Sequence, residues 1–240
     1  MSGARRRALL FVSLILVVVA IFAIAAIQRN ATSLAPRPPS QRPTLLLLTS
    51  LPLVFGEDFS LEGSGSPALK RLESRYRVVP ISVTDRADLA KGPLLLMAQP
   101  RAQTAENLVA LDEWVTSGSR VLLFADPMLE WPSKRPLGDP LRPSPMFADT
   151  GLLQHWGLRL DAPDRRGPAE RRLGRYRVNT ISPGTLHGAC AITRDQLAAQ
   201  CSVGSGRATI IADADLLNVA EPADPNLDAV LEALARLESR

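Results

Sequence analysis

Residues Ala8 to Ile27 form an unbroken apolar run directly after Arg5, Arg6 and Arg7. The run contains no charged residue and no proline, and Ser13 is its only polar residue. A helix rises about 1.5 Å per residue, so about twenty residues span a hydrocarbon core of roughly 30 Å. Lipid offers backbone groups no hydrogen-bond partner, whereas a helix satisfies its own. The run therefore predicts a transmembrane helix over 8–27.

A cleaved signal peptide is the alternative for this segment, since Ala23-Ile24-Ala25 fits a small-x-small cleavage site. The run is longer than a usual signal-peptide core and continues past that site, which favours an uncleaved anchor. Because positive charge stays on the cytoplasmic side, we expect residues 1–7 in the cytoplasm of a bacterial inner membrane. Everything after the span is then extracytoplasmic, beginning with a proline-rich tether over 28–43.

The remaining chain, 44–240, is long and apolar enough for one folded domain. Hydrophobic residues make up 46% of the sequence, which excludes a disordered stalk. The net charge of +4 is modest. A nucleic-acid partner is not expected on the far side of a membrane, and nothing in the sequence indicates the oligomeric state.

Buried strands alternate with amphipathic helices through most of this domain. The pattern predicts strands at Thr44–Leu53, Arg77–Val83, Leu94–Ala98, Arg120–Ala125 and Arg207–Ala212, and helices at Ser66–Tyr76, Thr104–Ser117, Phe147–Trp156 and Asn226–Leu237. Short strand–helix–strand links give parallel pairs with right-handed crossovers. We therefore expect an α/β fold, an open, mostly parallel sheet with flanking helices, with Pro80 near a sheet edge.

Two segments break this alternation. Pro127 to Pro145 contains six prolines and is predicted to be a long irregular loop. Arg171 to Cys201 is typical of antiparallel strands, with turns at Ser182-Pro183-Gly184 and near Asp195. The second turn lies midway between Cys190 and Cys201, the only cysteines. Cross-strand pairing in an oxidising compartment predicts a disulfide, and two free buried thiols are the alternative.

Three segments together resemble a known family. They are Glu106–Pro127, Gly204–Asn218 and Asn226–Leu237, and in this order they are similar to the GldG-like auxiliary components of ABC-type transport systems, which are associated with gliding motility. The resemblance implies a membrane-anchored protein whose extracytoplasmic domain is similar to class I glutamine amidotransferases. It also implies ABC transporter permease and ATPase subunits as partners.

The catalytic residues of an amidotransferase are not found in the sequence. Such an enzyme needs a nucleophile where a strand turns into a helix, with a histidine as base. The third strand instead runs into Gln99-Pro100-Arg101, and the two histidines, His155 and His187, lie elsewhere in the chain. We therefore expect no catalytic activity and no cofactor.

Asp126, Asp213 and Asp215 follow the ends of two predicted strands, at the edge where open α/β sheets bind ligands. If the three are adjacent, their carboxylates could hold Mg²⁺ or Ca²⁺ through oxygen. The favoured interpretation is that they cap backbone N–H groups, because nothing else completes a ligand shell. Trp131, in the proline-rich loop, is a candidate partner anchor.

A basic run surrounds Gly167-Pro168. It consists of Arg165, Arg166, Arg171, Arg172, Arg175 and Arg177. A solvated hairpin and a contact with phosphate head groups or an acidic partner both remain open. The sequence as a whole predicts a non-catalytic, membrane-anchored binding or scaffolding subunit of an envelope assembly. The alternative is an extracytoplasmic hydrolase with a site near the three aspartates.

Overall fold

A seven-stranded mixed sheet organises the part of the chain that the structure describes. The structure is a computed structural model, and it describes residues 34–56 and 65–239. The predicted anchor at 8–27 and the first part of the tether lie outside the described residues. Among the helices described, none is long and apolar enough to cross a membrane.

Strands and helices follow one another in the expected alternation at first, and antiparallel pairs come later. The strands are β1 (Thr44–Thr49), β2 (Arg77–Pro80), β3 (Leu94–Ala98), β4 (Arg120–Phe124), β5 (Leu158–Asp161), β6 (Pro168–Leu173), β7 (Tyr176–Ile181), β8 (Thr185–Gly188), β9 (Ala191–Ile192), β10 (Ala198–Val203) and β11 (Gly206–Ile211). The helices are α1 (Pro67–Glu73), α2 (Arg86–Leu89), α3 (Ala105–Thr116), α4 (Leu152–His155) and α5 (Pro225–Glu238).

The main sheet has the order β2-β1-β3-β4-β11-β10-β9. Its first five strands are parallel, while β10 and β9 run antiparallel to their neighbours. The predicted parallel sheet is therefore confirmed, and Pro80 lies on its outermost strand, as expected for a residue without a backbone N–H. We call the edge where the parallel strands begin the amino edge and the edge where they end the carboxyl edge.

Each of the longer helices begins where a polar side chain satisfies free backbone N–H groups. Thr104 accepts a hydrogen bond from the Asn107 N–H at 3.3 Å, and Asp224 accepts one from Asn226 at 2.8 Å. Gly118 follows α3 with φ of 119°, a conformation that favours glycine and ends the helix. The predicted starts of both helices are confirmed to within a residue.

Helices cover both faces of the sheet. One face carries α3, whose Leu111 and Val115 are fully buried against strand residues such as Leu95 and Leu123. The opposite face carries α5, which packs against β4 and β11 and whose Leu231 is fully buried. Strands covered on both faces are apolar at every position, which is why continuous apolar runs predicted them correctly.

Several predicted elements are longer than the observed ones. The strand predicted over Thr44–Leu53 ends at Thr49, and the one over Arg77–Val83 ends at Pro80. The helix predicted over Phe147–Trp156 is wrong for most of its length, because only Leu152–His155 is helical. No helix or strand forms between Pro127 and Pro145, as expected.

Antiparallel pairs occupy the region where the sequence predicted them. β6 pairs with β7, and β8 pairs with β5, a strand that the sequence did not predict. Ser182 and Gln196 have positive φ values of 50° and 58° at the two expected turns. The turn at Gln196 brings Cys190 opposite Cys201, and the predicted disulfide joins them with a Cα–Cα distance of 4.8 Å.

Candidate functional site

Three carboxylates meet at the carboxyl edge of the sheet. Asp126 follows β4, and Asp213 and Asp215 follow β11. These strands are parallel neighbours in register, with Phe124 beside Ile211, so the residues after them must converge. Each aspartate has a carboxylate oxygen within 4.8 Å of the others, and their exposed fractions are 0%, 0% and 4%. The structure thus brings together three aspartates whose adjacency the sequence left open.

Backbone N–H groups occupy most of these carboxylate oxygens. Asp126 accepts from Met128 at 2.8 Å and from Ala214 at 2.9 Å, so it ties the end of β4 to the end of β11. Asp213 in the same way accepts from Ile181 at 2.9 Å and from Leu216 at 3.2 Å. The two aspartate side chains thus connect neighbouring loops through hydrogen bonds from backbone N–H groups. This is the capping role that the sequence favoured.

Asp215 completes the cluster differently. Its Oδ2 accepts a hydrogen bond from the Glu130 N–H at 2.9 Å, which fixes the proline-rich loop above the edge. Its Oδ1 is buried and has no hydrogen-bond partner among the described residues. Five backbone N–H groups already donate to these carboxylates, so the cluster holds the loops together without a cation. A cation bound here would have to share the carboxylate oxygens with those donors.

Burial sets the protonation of the cluster. Desolvation raises the pKa of Asp126 to about 7, against the lowering effect of its backbone hydrogen bonds. Desolvation together with the neighbouring Asp126 charge raises the pKa of Asp213 well above its ordinary value. Desolvation likewise raises the pKa of Asp215 to about 6. Protons are therefore held here at a pH where free carboxylates are ionised.

Gln99 occupies the turn where an amidotransferase-like fold would place its nucleophile. It is fully buried at the end of β3 and has a positive φ of 44°. Its Oε1 accepts from the Asp126 N–H at 3.0 Å, and its Nε2 donates to the carbonyls of Asp126 and Ser144. The side chain thus fixes β3, β4 and the loop to one another.

The proline-rich loop, residues 127–145, covers the carboxyl edge. The Leu129 N–H donates to the Pro145 carbonyl at 2.9 Å, and Ser182 Oγ donates to Glu130 Oε1 at 2.5 Å. The candidate anchor Trp131 is half-buried. Because the ends of the loop are held by hydrogen bonds, its middle is presented in a defined position.

Large exposed apolar side chains follow two of the strands that end at this edge. The described residues contain five large exposed ones, and four of them follow β1 or β4: Phe55, Leu137, Leu141 and Met146, with exposed fractions of 77%, 84%, 56% and 63%. Sequence reasoning missed these four. The signal was present in the loop, where isolated apolar residues are spaced between prolines with no helical or strand periodicity to bury them.

The predicted basic run lies around the β6–β7 hairpin. Arg175 pairs with Glu232 of α5 at 2.8 Å, and Arg177 approaches Glu170 at 3.4 Å. The other four arginines of the run form no ion pair within the described residues. The open end of this hairpin adjoins the carboxylate cluster, since the Ile181 N–H donates to Asp213 Oδ2 at 2.9 Å. Ser182 there joins Gly167 to Glu130 of the proline-rich loop. Arg175 lies at the other end of the hairpin, against α5.

The two histidines face other carboxylates. His155 Nε2 lies 3.3 Å from Asp112, which also accepts from the Trp156 indole N–H at 2.8 Å. His187 Nε2 lies 3.4 Å from Asp161 across the β5–β8 pair. Among the described residues, the structure therefore places neither histidine beside Gln99 or the aspartate cluster.

The sequence matches no protein-family model and no curated protein at a significant level. Similar folds occur among solved structures. The IFT52 N-terminal domain is 12% identical with a TM-score of 0.51, over 80% of this chain and 96% of that one. A cytoplasmic protein from Salmonella typhimurium is 8% identical with a TM-score of 0.48, over 81% and 98%.

An exo-β-1,4-mannosidase from Opitutaceae bacterium strain TAV5 is 14% identical with a TM-score of 0.46, over 91% of this chain. The chain spans 37% of the length of that mannosidase. Of these three structures, the IFT52 domain has a TM-score above 0.5, and at 12% identity the likeness concerns the fold alone.

Proposed function

We propose that this protein is a non-catalytic binding or scaffolding subunit of a bacterial envelope assembly, which contacts its partner protein through the carboxyl edge of the sheet. The observation that carries the proposal is that four of the five large exposed apolar side chains in the described residues follow strands that end at that edge. Monomeric proteins rarely leave several large apolar side chains exposed together unless the surface binds something.

The proline-rich loop is suited to this contact because it is already ordered. Its backbone is fixed to the carboxylate cluster through Glu130 and to Gln99 through Ser144. Prolines reduce the freedom of the unbound loop further. A surface that is ordered before binding loses less conformational entropy when a partner docks, so more of the apolar burial contributes to affinity.

The carboxyl edge also points away from the place where the chain enters the domain. Residues after Pro36 reach β1 at the amino edge, where the Arg37 N–H donates to the Ser74 carbonyl at 2.9 Å. Parallel strands of five or six residues then carry the chain roughly 17–20 Å to the opposite edge. An attachment at the amino edge therefore leaves the apolar side chains free to meet a partner.

The disulfide supports an extracytoplasmic location for the domain. A disulfide between Cys190 and Cys201 fits an oxidising, extracytoplasmic location. The inner-membrane anchor over 8–27 and the GldG-like resemblance extend this proposal: the partner would be a subunit of an ABC transporter. The buried, hydrogen-bonded state of the three aspartates favours binding over hydrolysis, because a substrate could reach them only after the loop moved.

Site-specific photo-crosslinking in the native cell tests the proposal. A benzoyl-phenylalanine residue replaces Leu137 or Met146 in the full chain, and Val109 is the matched control. Val109 is equally apolar and 56% exposed, but it lies on α3. We expect a discrete crosslinked product at positions 137 and 146, identified by mass spectrometry, and a much weaker one at 109.

Weakening of the contact gives a second measurement. Trp131→Ala and Leu137→Ser should each reduce the yield of the crosslinked partner from Met146 about tenfold, because apolar and aromatic anchors dominate most interfaces. The thermal unfolding temperature should change little for Leu137→Ser. Equal crosslinking at Val109, or full yield after both substitutions, would contradict the proposed surface.

A further inference from the structure

The carboxylate cluster at the carboxyl edge has no positive side chain to balance it. Asp126, Asp213 and Asp215 are all buried, and they present carboxylate oxygens within 4.8 Å of one another. Within the described residues, none of the three forms an ion pair. Desolvation is the main cause that raises the pKa of Asp215, and the nearby charge of Glu130 raises it further. Buried charges in proteins are paired or bound to a metal, so the cluster needs a positive partner.

One oxygen of the cluster has no partner. Asp215 Oδ1 is buried and accepts no hydrogen bond within the described residues, whereas Oδ2 of the same carboxylate accepts from the Glu130 N–H at 2.9 Å. A buried acceptor without a donor loses the water that it binds in the unfolded chain and gains no bond in return, so such atoms are rare in native structures. The free oxygen therefore points to a positively charged ligand that bonds to oxygen.

The other carboxylate oxygens also keep the capacity to bind a cation. Each oxygen of Asp126 and of Asp213 accepts a hydrogen bond from a backbone N–H group, at 2.8–3.2 Å. An ionised carboxylate has about four lone-pair sites, so two N–H donors leave about two of them free on each residue. A metal ion and an N–H group can therefore bind the same oxygen from different directions.

Calcium fits the spacing of these oxygens better than magnesium does. Ca²⁺ lies about 2.3–2.6 Å from its oxygen ligands, so one ion can bridge oxygens that are up to about 5 Å apart. This distance covers the 4.8 Å limit of the cluster. Mg²⁺ binds oxygen at about 2.0–2.1 Å in a nearly regular octahedron, so it bridges only about 4.2 Å and tolerates carboxylates fixed by other bonds poorly.

We infer that Asp126, Asp213 and Asp215 form a binding site for a calcium ion. The three carboxylates supply its protein ligands, and Ca²⁺ takes water or carbonyl oxygens in its remaining positions. The ion joins the ends of β4 and β11 to the proline-rich loop, because Asp215 holds that loop through the Glu130 N–H. It enters while the chain folds or while the loop is open, since the closed edge leaves the aspartates at most 4% exposed.

Calcium binding to the refolded full chain tests the inference. The protein, in an uncharged detergent and without reductant, is unfolded in urea with a chelator and refolded with or without about 1 mM CaCl₂, a concentration at which extracellular calcium modules bind. Equilibrium dialysis with radioactive calcium should show a single ion per chain. If the ion binds at about 0.1 mM, the unfolding temperature should rise by about 3–6 °C. MgCl₂ at the same concentration should give a smaller rise.

Asp215→Asn shows whether binding uses this cluster. Asparagine keeps an acceptor for the Glu130 N–H but removes the charge and the free oxygen, so calcium affinity should fall about tenfold or more. The unfolding temperature of the metal-free protein should change little. Asp149→Asn is the matched control, because Asp149 also accepts backbone N–H groups, from Gly151 and Leu153, but is exposed and lies outside the cluster. It should leave calcium affinity within about twofold.

Asp126→Asn is the second variant if Asp215→Asn fails to fold, and it should weaken calcium binding as strongly. Absence of bound calcium from the refolded wild type, or full calcium binding by a folded variant of the cluster, would overturn the site. Tighter binding of Mg²⁺ than of Ca²⁺ would overturn the assignment of the ion. None of these results decides whether Leu137 and Met146 contact a partner, so the site and the proposed partner surface can fail separately.

Discussion

At the scale of single residues, Asp126 makes the stability of the fold depend on pH. Its pKa is about 7 in the folded chain, against an ordinary value of 3.8. A raised folded-state pKa means that the folded protein binds the proton more tightly than the unfolded chain. The resulting stabilisation is fully present below about pH 4 and is lost as the pH rises through 7, at about 1.4 kcal/mol per unit of pKa difference.

Asp126→Asn should therefore flatten the pH dependence of stability. The amide does not ionise, although it loses one of two acceptors for backbone N–H groups, which costs about 1 kcal/mol. Urea unfolding of the full chain, followed by tryptophan fluorescence at pH 5 and pH 8, measures the effect. We expect the variant to be less stable than the wild type at pH 5 and closer to it at pH 8. The exposed Asp164→Asn should keep the wild-type difference between the two pH values.

At the scale of elements, the sequence predicted those strands whose residues are buried along their whole length. β3 and β4 are buried at nearly every position, so a continuous apolar run identified them. β5 is four residues long and only its first residue is buried, which gives neither an apolar run nor clear alternation. α4 is a single turn between Gly151 and Gly157, and its apolar residues resembled the start of a longer helix.

The disulfide between β9 and β10 gives a prediction at this scale. Replacing both cysteines by serine should reduce the free energy of unfolding by about 3 kcal/mol, because the bond closes a short loop of the unfolded chain. Urea unfolding of this double variant and of the wild type in dithiothreitol should show the same loss. A loss seen only with the substitutions would indicate packing of the sulfurs rather than the cross-link.

At the scale of the whole molecule, the candidate site was predictable in part. The sequence placed Asp126, Asp213 and Asp215 at the ends of strands, but their convergence depends on the pairing of β4 with β11, which the sequence did not predict. The exposure of Leu137 and Met146 was not predictable either, because it depends on how an irregular loop folds over the carboxyl edge.

The predicted anchor also belongs to the whole molecule. If residues 8–27 remain in the membrane, added protease should digest the exported domain in spheroplasts, and the intact protein should stay with membranes through alkaline carbonate washing. A truncation starting at Gln28 behind a cleavable signal peptide is the control, and it should be released in soluble form. Release of a soluble product that starts near Ala26 would contradict the uncleaved anchor.

The two outer strands of the main sheet determine how readily copies of the domain aggregate by pairing their strands. β2 ends at Pro80, which offers no donor to an incoming strand, and β9 is only two residues long. The Cys190–Cys201 bond holds β9 against the six-residue β10. A chain whose cysteines are reduced can release β9 and uncover a longer, regular edge, which is a template for intermolecular strand pairing. We therefore expect the oxidised domain to aggregate less than the reduced one, so copies kept in a reducing compartment should form insoluble deposits more readily.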